Sequence, residues 1–256
     1  MTVATYPAGI QIRFDFKSRI STRGDRAQCR SFSRRSKQNL LWRTANDTKF
    51  RPTFMLVCTY HGIVQSGKRA KADLNRYLVQ FRRKFPLVKY LWIAEFQRRG
   101  SLHFHIFVDV PLTETYRLTF WHWKLWTTAS CVPDADRAGL LHCAWSEALR
   151  VAHAVVWYCM KECAKQFQKV LPVGVQGIGR WWGMSRSITK ALAEKIYEIK
   201  SYLQVPWVEE LVEKYFRTDG ELTKLSGRWL AFGREKLCSI KAALHEMFQP
   251  ELEFPE

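Results

Sequence analysis

The chain has 256 residues, 47% of them hydrophobic, which is enough for one large domain with its own core. Lys and Arg number 41 against 23 Asp and Glu, and the formal charge of +18 favours a polyanionic partner, nucleic acid before an anionic membrane surface. The seven cysteines include no Cys-x-x-Cys pair, and no apolar run approaches the roughly 18 residues of a membrane span. We therefore expect a soluble, cytoplasmic protein and no membrane partner.

Residues 1–49 are predicted to form a basic N-terminal arm. Apolar and polar side chains alternate over residues 10–16, which indicates an edge strand. Residues 18–49 are polar and rich in Arg and Ser. This composition is typical of a mobile arm that contacts phosphates and equally of a solvated loop.

Residues 50–203 are predicted to form an α+β domain. We expect a buried strand over 53–60, a basic helix over 68–85 and a β-hairpin within 88–110. Helices are predicted over 113–126, 136–150 and 156–169, then a short strand within 180–186 and a helix over 187–203. Two more helical stretches, 207–217 and 221–248, would make residues 204–256 a helical extension.

The hairpin carries a candidate metal site. Strand side chains alternate between faces, so His103 and His105 share one face of the second strand. A three-residue loop over 98–100, with Gly100 at a position that needs positive φ, would place Glu95 opposite His103. A slip of one residue would move Glu95 to the other face. In the expected register one carboxylate and two imidazoles converge, which suits a divalent ion such as Mg²⁺ or Mn²⁺.

The predicted helix over 156–169 carries a candidate nucleophile. At about 100° per residue, Tyr158, Lys161, Lys165 and Lys169 lie together on its polar face. A solvated lysine face with an incidental tyrosine explains this pattern too. A catalytic interpretation makes Tyr158 attack a phosphodiester, since its phenolate would form a phosphotyrosine ester. Lys161 would then stabilise the developing negative charge, and Lys165 would bind a neighbouring phosphate.

Several blocks of the sequence resemble the HUH endonucleases, and within them the rolling-circle replication initiators of filamentous phages and related plasmids. The similar blocks are residues 54–60, 95–105, 158–165 and 179–183, in the family's order. The resemblance covers about residues 50–186. It implies a central antiparallel sheet flanked by helices, with an RRM-like or ferredoxin-like core.

The resemblance also implies an activity. Such an enzyme nicks one strand at a single-stranded or hairpin replication origin in a bacterial host, forms a covalent 5′-phosphotyrosyl intermediate and frees a 3′-OH for a host polymerase. By this resemblance Glu95, His103 and His105 hold the metal, and Tyr158, Lys161 and Lys165 act in catalysis. Basic residues near these blocks are expected to contact DNA: Arg98, Arg99, Lys169 and Arg180. No helicase domain is recognisable, so we expect a host helicase to unwind the DNA.

One departure and two rival functions stay open. Some relatives have a second tyrosine four residues after the first, where this chain has Glu162. A single-tyrosine enzyme would need water or another subunit for the closing step. A relaxase or a single-strand transposase would use the same blocks. A non-catalytic nucleic-acid-binding protein would explain the charge but not the Glu95, His103, His105 and Tyr158 set.

Overall fold

The structure is a computed structural model that describes residues 2–13, 31–47, 49–60, 66–130, 143–150, 155, 158–159, 161, 163, 165, 167–175, 177–188, 195–198, 206, 210, 222–225, 228–231 and 234–247. Its strands are β1 (Thr2–Tyr6), β2 (Gly9–Arg13), β3 (Phe54–Thr59), β4 (Tyr90–Phe96), β5 (Leu102–Val108), β6 (Ala144–Ala148), β7 (Trp182–Met184), β8 (Lys195–Glu198), β9 (Leu222–Leu225) and β10 (Arg228–Ala231). Its bounded α-helices are α1 (Arg34–Asn46), α2 (Gly67–Lys84), α3 (Thr115–Ala129) and α4 (Arg234–Met247).

Two compact units divide the chain. The central unit comprises residues 25–44 and 49–189, and the terminal unit comprises residues 1–24, 45–48 and 190–256. Each unit contains one five-stranded antiparallel sheet among the described residues. The predicted α+β class, with an antiparallel sheet flanked by helices, is confirmed. The predicted domain boundaries after residues 49 and 203 stay a prediction.

The sheet of the central unit has the strand order β6-β3-β5-β4-β7. Its middle strand, β5, is buried at all seven positions, as is β3 beside it at all six. β3 is apolar from Phe54 to Cys58, whereas the buried side chains of β5 include His103 and His105. Both faces of these two strands are therefore covered, and one face of β5 holds two buried polar side chains.

The hairpin of β4 and β5 has the predicted register. Glu95 pairs with His103, and the Gln97 N–H donates to the carbonyl of Ser101 at 2.8 Å. Gly100 has φ of 81°, the left-handed conformation that glycine adopts without steric cost. The turn therefore fixes which face of the sheet receives Glu95.

Helices α2 and α3 cover one face of this sheet. The side chains of Leu74, Tyr77 and Phe81 recur at helical spacing on α2 and are buried. Trp126 of α3 is fully buried, and its ring makes an edge contact with Phe104 of β5 at 6.1 Å between centroids. Both helices were predicted, with ends displaced by no more than three residues.

Residues 136–150 were predicted to be helical, and this prediction is wrong for the described part. Residues 144–148 form strand β6, which pairs with β3 from Phe54 to Cys58. The edge of β3 offers backbone hydrogen bonds that a local helical pattern does not reveal, and tertiary pairing overrides a weak propensity. Residues 136–142 lie outside the described residues.

The structure of the terminal unit differs from the predictions for both ends of the chain. Its sheet has the order β8-β1-β2-β10-β9, so β2 is an internal strand rather than the predicted edge. The C-terminal extension is not entirely helical. The predicted helices over 187–203 and 221–248 contain strands β8, β9 and β10. Of the residues that the structure describes between 221 and 248, those from 234 to 247 form a helix, α4. Strands β8 and β10 pair with β1 and β2, which are distant in sequence, and periodicity does not show such pairing.

The predicted arm also has structure. Residues 34–46 form helix α1 rather than a loop. Residues 14–30 of the arm and all of the predicted 207–217 helix except residue 210 lie outside the described residues. Among the described residues, no helix is both long enough and apolar enough to cross a membrane.

Candidate metal centre

Glu95, His103 and His105 converge on the sheet face opposite α2 and α3. The Oε1 atom of Glu95 lies 2.6 Å from Nε2 of His103 and 3.4 Å from Nε2 of His105. The two Nε2 atoms are 3.0 Å apart. All three side chains are buried. The hairpin register produces this arrangement, because it sets Glu95 directly beside His103 and puts His105 two residues along the same face.

The chemistry of these atoms fits a metal ion. Burial lowers the pKa of His105 to about 4, so its imidazole is neutral at neutral pH and can act as a ligand. The two facing Nε2 atoms can share one proton at most, and a carboxylate oxygen only accepts. Nδ1 of each histidine has no hydrogen-bond partner among the described residues. One carboxylate oxygen and two imidazole nitrogens make a group that could hold a metal ion.

Two lysines contact the second oxygen of Glu95. Nζ of Lys165 lies 2.8 Å from Oε2, and Nζ of Lys169 lies 3.5 Å from it. Lys169 is only 1% exposed and also donates to the carbonyl of Ala94 at 3.0 Å. Glu95 is therefore oriented with one oxygen towards the histidines and the other towards two cations. The sequence does not reveal this role of the lysines, because nothing in its pattern links them to a residue about 70 positions earlier.

Tyr158 lies over the same face of β5. Its ring is 5.1 Å from the ring of His105 and 5.0 Å from that of Phe107, measured between centroids. The described residues from 155 to 163 have helical backbone, and Cys159 is buried while Tyr158 is half-buried. Lys161, one turn further on, is exposed. The structure thus brings the candidate nucleophile against the candidate metal ligands.

The residues predicted to contact DNA lie in different settings. Arg98 and Arg99 are exposed on the hairpin loop, and Arg180 is exposed just before Trp181. Lys169 is buried against Glu95, so it is not available on the surface. Contact of the three arginines with DNA stays a prediction. Glu162 lies outside the described residues.

The fold and the side-chain set define an α+β protein with a candidate metal centre and an adjacent tyrosine. The chain belongs to the replication-associated protein ORF2 family, because the model of that family matches residues 53–204, more than half of the chain. The match contains all three candidate ligands and Tyr158, and it is consistent with a rolling-circle replication initiator. No curated protein and no solved structure matches the chain significantly. Family membership indicates a role in the initiation of replication.

Proposed function

We propose that the protein initiates rolling-circle replication by nicking and rejoining one strand of origin DNA through a covalent 5′-phosphotyrosyl intermediate. The observation that carries this proposal is the packing of the Tyr158 ring on His105, 5.1 Å between centroids, beside the Glu95 and His103 side chains. A basic DNA-binding module without catalysis has no need for this grouping. The setting would be the cytoplasm of a bacterial host, with a host helicase and polymerase as partners.

Glu95, His103 and His105 would hold Mg²⁺ or Mn²⁺. Such an ion, when bound, acts as a Lewis acid towards the scissile phosphate. Lys165 and Lys169 would hold Glu95 in its orientation in this buried place, since they contact the carboxylate oxygen that faces away from the histidines. The protein would thus supply a preorganised ligand set that needs little rearrangement.

Tyr158 would attack the phosphorus of the scissile phosphodiester. A bond forms between the tyrosine oxygen and phosphorus while the bond between phosphorus and the 3′ oxygen breaks. The phenol gives up its proton, and the departing 3′ oxygen gains one. Lys161 would stabilise the negative charge that develops on the phosphate. In the joining step a 3′-hydroxyl attacks the phosphotyrosine, and Tyr158 leaves with its proton restored.

Other tyrosines fit this role less well. Tyr60 is buried and donates its hydroxyl hydrogen to Asp73 at 2.9 Å. Burial and the neighbouring Asp73 raise the pKa of Tyr60, which opposes phenolate formation. Tyr116 is exposed on α3, the layer on the other side of the sheet from His103 and His105.

An adduct assay tests the proposal. The protein is incubated with Mn²⁺ and overlapping single-stranded oligonucleotides that cover the replicon encoding it, and the products are separated on a denaturing gel. We expect a covalent protein–DNA band from the wild type and from Tyr90→Phe, a matched control at the other end of β4 from Glu95. Tyr158→Phe should lose the band.

The alternative functions predict different results in the adduct assay. A relaxase or transposase would also form the adduct, but on a transfer origin or an element end rather than on the replication origin. A non-catalytic binding protein would form no adduct with any oligonucleotide. An adduct that persists in Tyr158→Phe would move the nucleophile to Tyr116 or Tyr60 and contradict the proposal.

A further inference from the structure

Helix α2 presents a basic outer face. Its exposed or half-exposed side chains include six cations: Lys68, Arg69, Arg76, Arg82, Arg83 and Lys84. The helix contains one carboxylate, Asp73, which is fully buried and already paired with Arg76. Among the described residues, no carboxylate forms an ion pair with the cations at the C-terminal end, Arg82, Arg83 and Lys84. This end of α2 therefore carries a concentrated positive charge without internal compensation.

Helix α3, which packs beside α2, exposes aromatic rings. Tyr116 is 92% exposed and Phe120, one turn later, is 52% exposed. Both rings follow the helical spacing of four residues, so they lie in a row on the outer side of α3. Exposed rings in a row offer flat apolar surface that no other described side chain covers completely.

The basic and aromatic surfaces are continuous. Nζ of Lys84 lies 3.8 Å from the centroid of the Trp121 ring, and Trp121 contacts Phe120 at 5.3 Å between centroids. Nζ of Lys124 lies 5.6 Å from the centroid of the Phe120 ring and 5.4 Å from that of the Trp121 ring. The Arg117 guanidinium donates to the carbonyl of Lys84 at 2.8 Å, which ties the two helices together. We call this combined outer face of α2 and α3 the helix-layer surface.

The helix-layer surface is separate from the candidate metal centre. Its helices cover the sheet face that carries Phe104, through the contact of Trp126 with that ring. His103 and His105 lie on the other face, because neighbouring residues of a strand point to opposite sides. A strand held on the helix-layer surface would therefore be a different stretch of DNA from the one being cleaved.

We propose that the helix-layer surface binds single-stranded DNA, with the cations of α2 on the phosphates and the rings of α3 under unpaired bases. A row of cations beside a row of exposed rings is the combination that proteins use for unpaired strands, since every base has a face that stacks and every nucleotide has a phosphate. A duplex would satisfy the cations but leave the rings without a role. This inference rests on the proposed function for the choice of DNA, and it assigns a place for the strand that unwinding releases.

The test measures binding without cleavage. All proteins carry Tyr158→Phe and are kept in EDTA, so neither metal binding nor adduct formation contributes. Fluorescence anisotropy follows binding of labelled oligo(dT) at several salt concentrations. Arg82→Gln with Arg83→Gln should reduce the slope of log K against log salt by about 1.4, or about 0.7 for each lost phosphate contact. Affinity at low salt should fall about 10-fold or more.

Control variants separate local contacts from overall charge. Lys49→Gln with Arg51→Gln removes two exposed cations near the start of β3 and should keep the wild-type slope. Arg82→Lys with Arg83→Lys keeps the charge and should also keep the slope.

Phe120→Ala tests stacking on unpaired bases. It should weaken oligo(dT) binding at least 5-fold with no change of slope, because base stacking releases no counterions, while duplex binding should stay the same.

Two results would overturn the inference. One is an equal change of the salt slope in the Arg82→Gln, Arg83→Gln variant and in the Lys49→Gln, Arg51→Gln variant. This result would show that only the net charge of the protein matters. The other is an equal loss of duplex and oligo(dT) binding in Phe120→Ala, which would exclude stacking on unpaired bases. Thermal melting by circular dichroism confirms that each variant is folded. Failure of the adduct assay would leave these binding differences in place, so the two proposals fail separately.

Discussion

Replacing Lys169 with methionine tests whether buried cations hold Glu95 in place. The ammonium of Lys169 is 1% exposed, 3.5 Å from Oε2 of Glu95 and 3.0 Å from the carbonyl oxygen of Ala94. Removing one partner of a buried ion pair costs about 3–5 kcal/mol, because the other charge stays buried without compensation. Lys165 still contacts the same oxygen at 2.8 Å, so the expected loss is smaller, about 2–3 kcal/mol.

Urea unfolding in EDTA measures this loss. The matched control is Lys161→Met, the same substitution at an exposed lysine eight residues earlier, which should change the unfolding free energy by no more than about 0.5 kcal/mol. Glu95→Gln combined with Lys169→Met should lose less stability than the sum of the single variants, with a coupling of at least about 1 kcal/mol. Strictly additive effects would refute the pairing of Lys169 with Glu95.

Three further predictions follow from other parts of the central unit. His103→Ala with His105→Ala should lower Mn²⁺ affinity at least about 100-fold by titration calorimetry, since two of three ligands are lost; unchanged affinity would place the metal elsewhere. Burial lowers the pKa of His122 to about 4, below the ordinary 6.5. Between these two pH values His122 is protonated in the unfolded chain but neutral in the folded protein. This contribution to stability is complete above pH 6.5 and falls by about 3 kcal/mol as the pH drops to 4, and His122→Gln should flatten the decline in urea unfolding. A Cβ atom on Gly183 would lie 2.8 Å from the ring of Trp92, so Gly183→Ala should cost about 1–3 kcal/mol, and a neutral substitution would show that the ring moves freely.

The sequence predicted the hairpin well because its geometry is local. Alternation of side chains and the glycine of a three-residue loop decide the register, and the register alone puts Glu95 beside His103. Helix α2 was predicted equally well, since its apolar stripe and the proline that follows it lie within one continuous segment of the sequence.

Other features depended on contacts between distant segments. The packing of Tyr158 on His105 joins positions more than fifty residues apart, and periodicity places each on a face without bringing the faces together. Strands β6 and β8 were predicted to be helical because their own residues permit a helical pattern, whereas the edges of β3 and β1 determine their structure. Lys169 was assigned to the surface for the same reason, since its burial depends on Glu95 of another element.

The central claim is that Tyr158 becomes covalently attached to DNA in a reaction that depends on the Glu95, His103 and His105 site. Mass spectrometry of the protease-digested and nuclease-digested reaction product tests it most directly. With Mn²⁺ we expect a 5′-phosphonucleotide on the peptide that contains Tyr158, and with EDTA we expect that peptide to be unmodified. A nucleotide on any other residue, or the same yield in EDTA, would contradict the account.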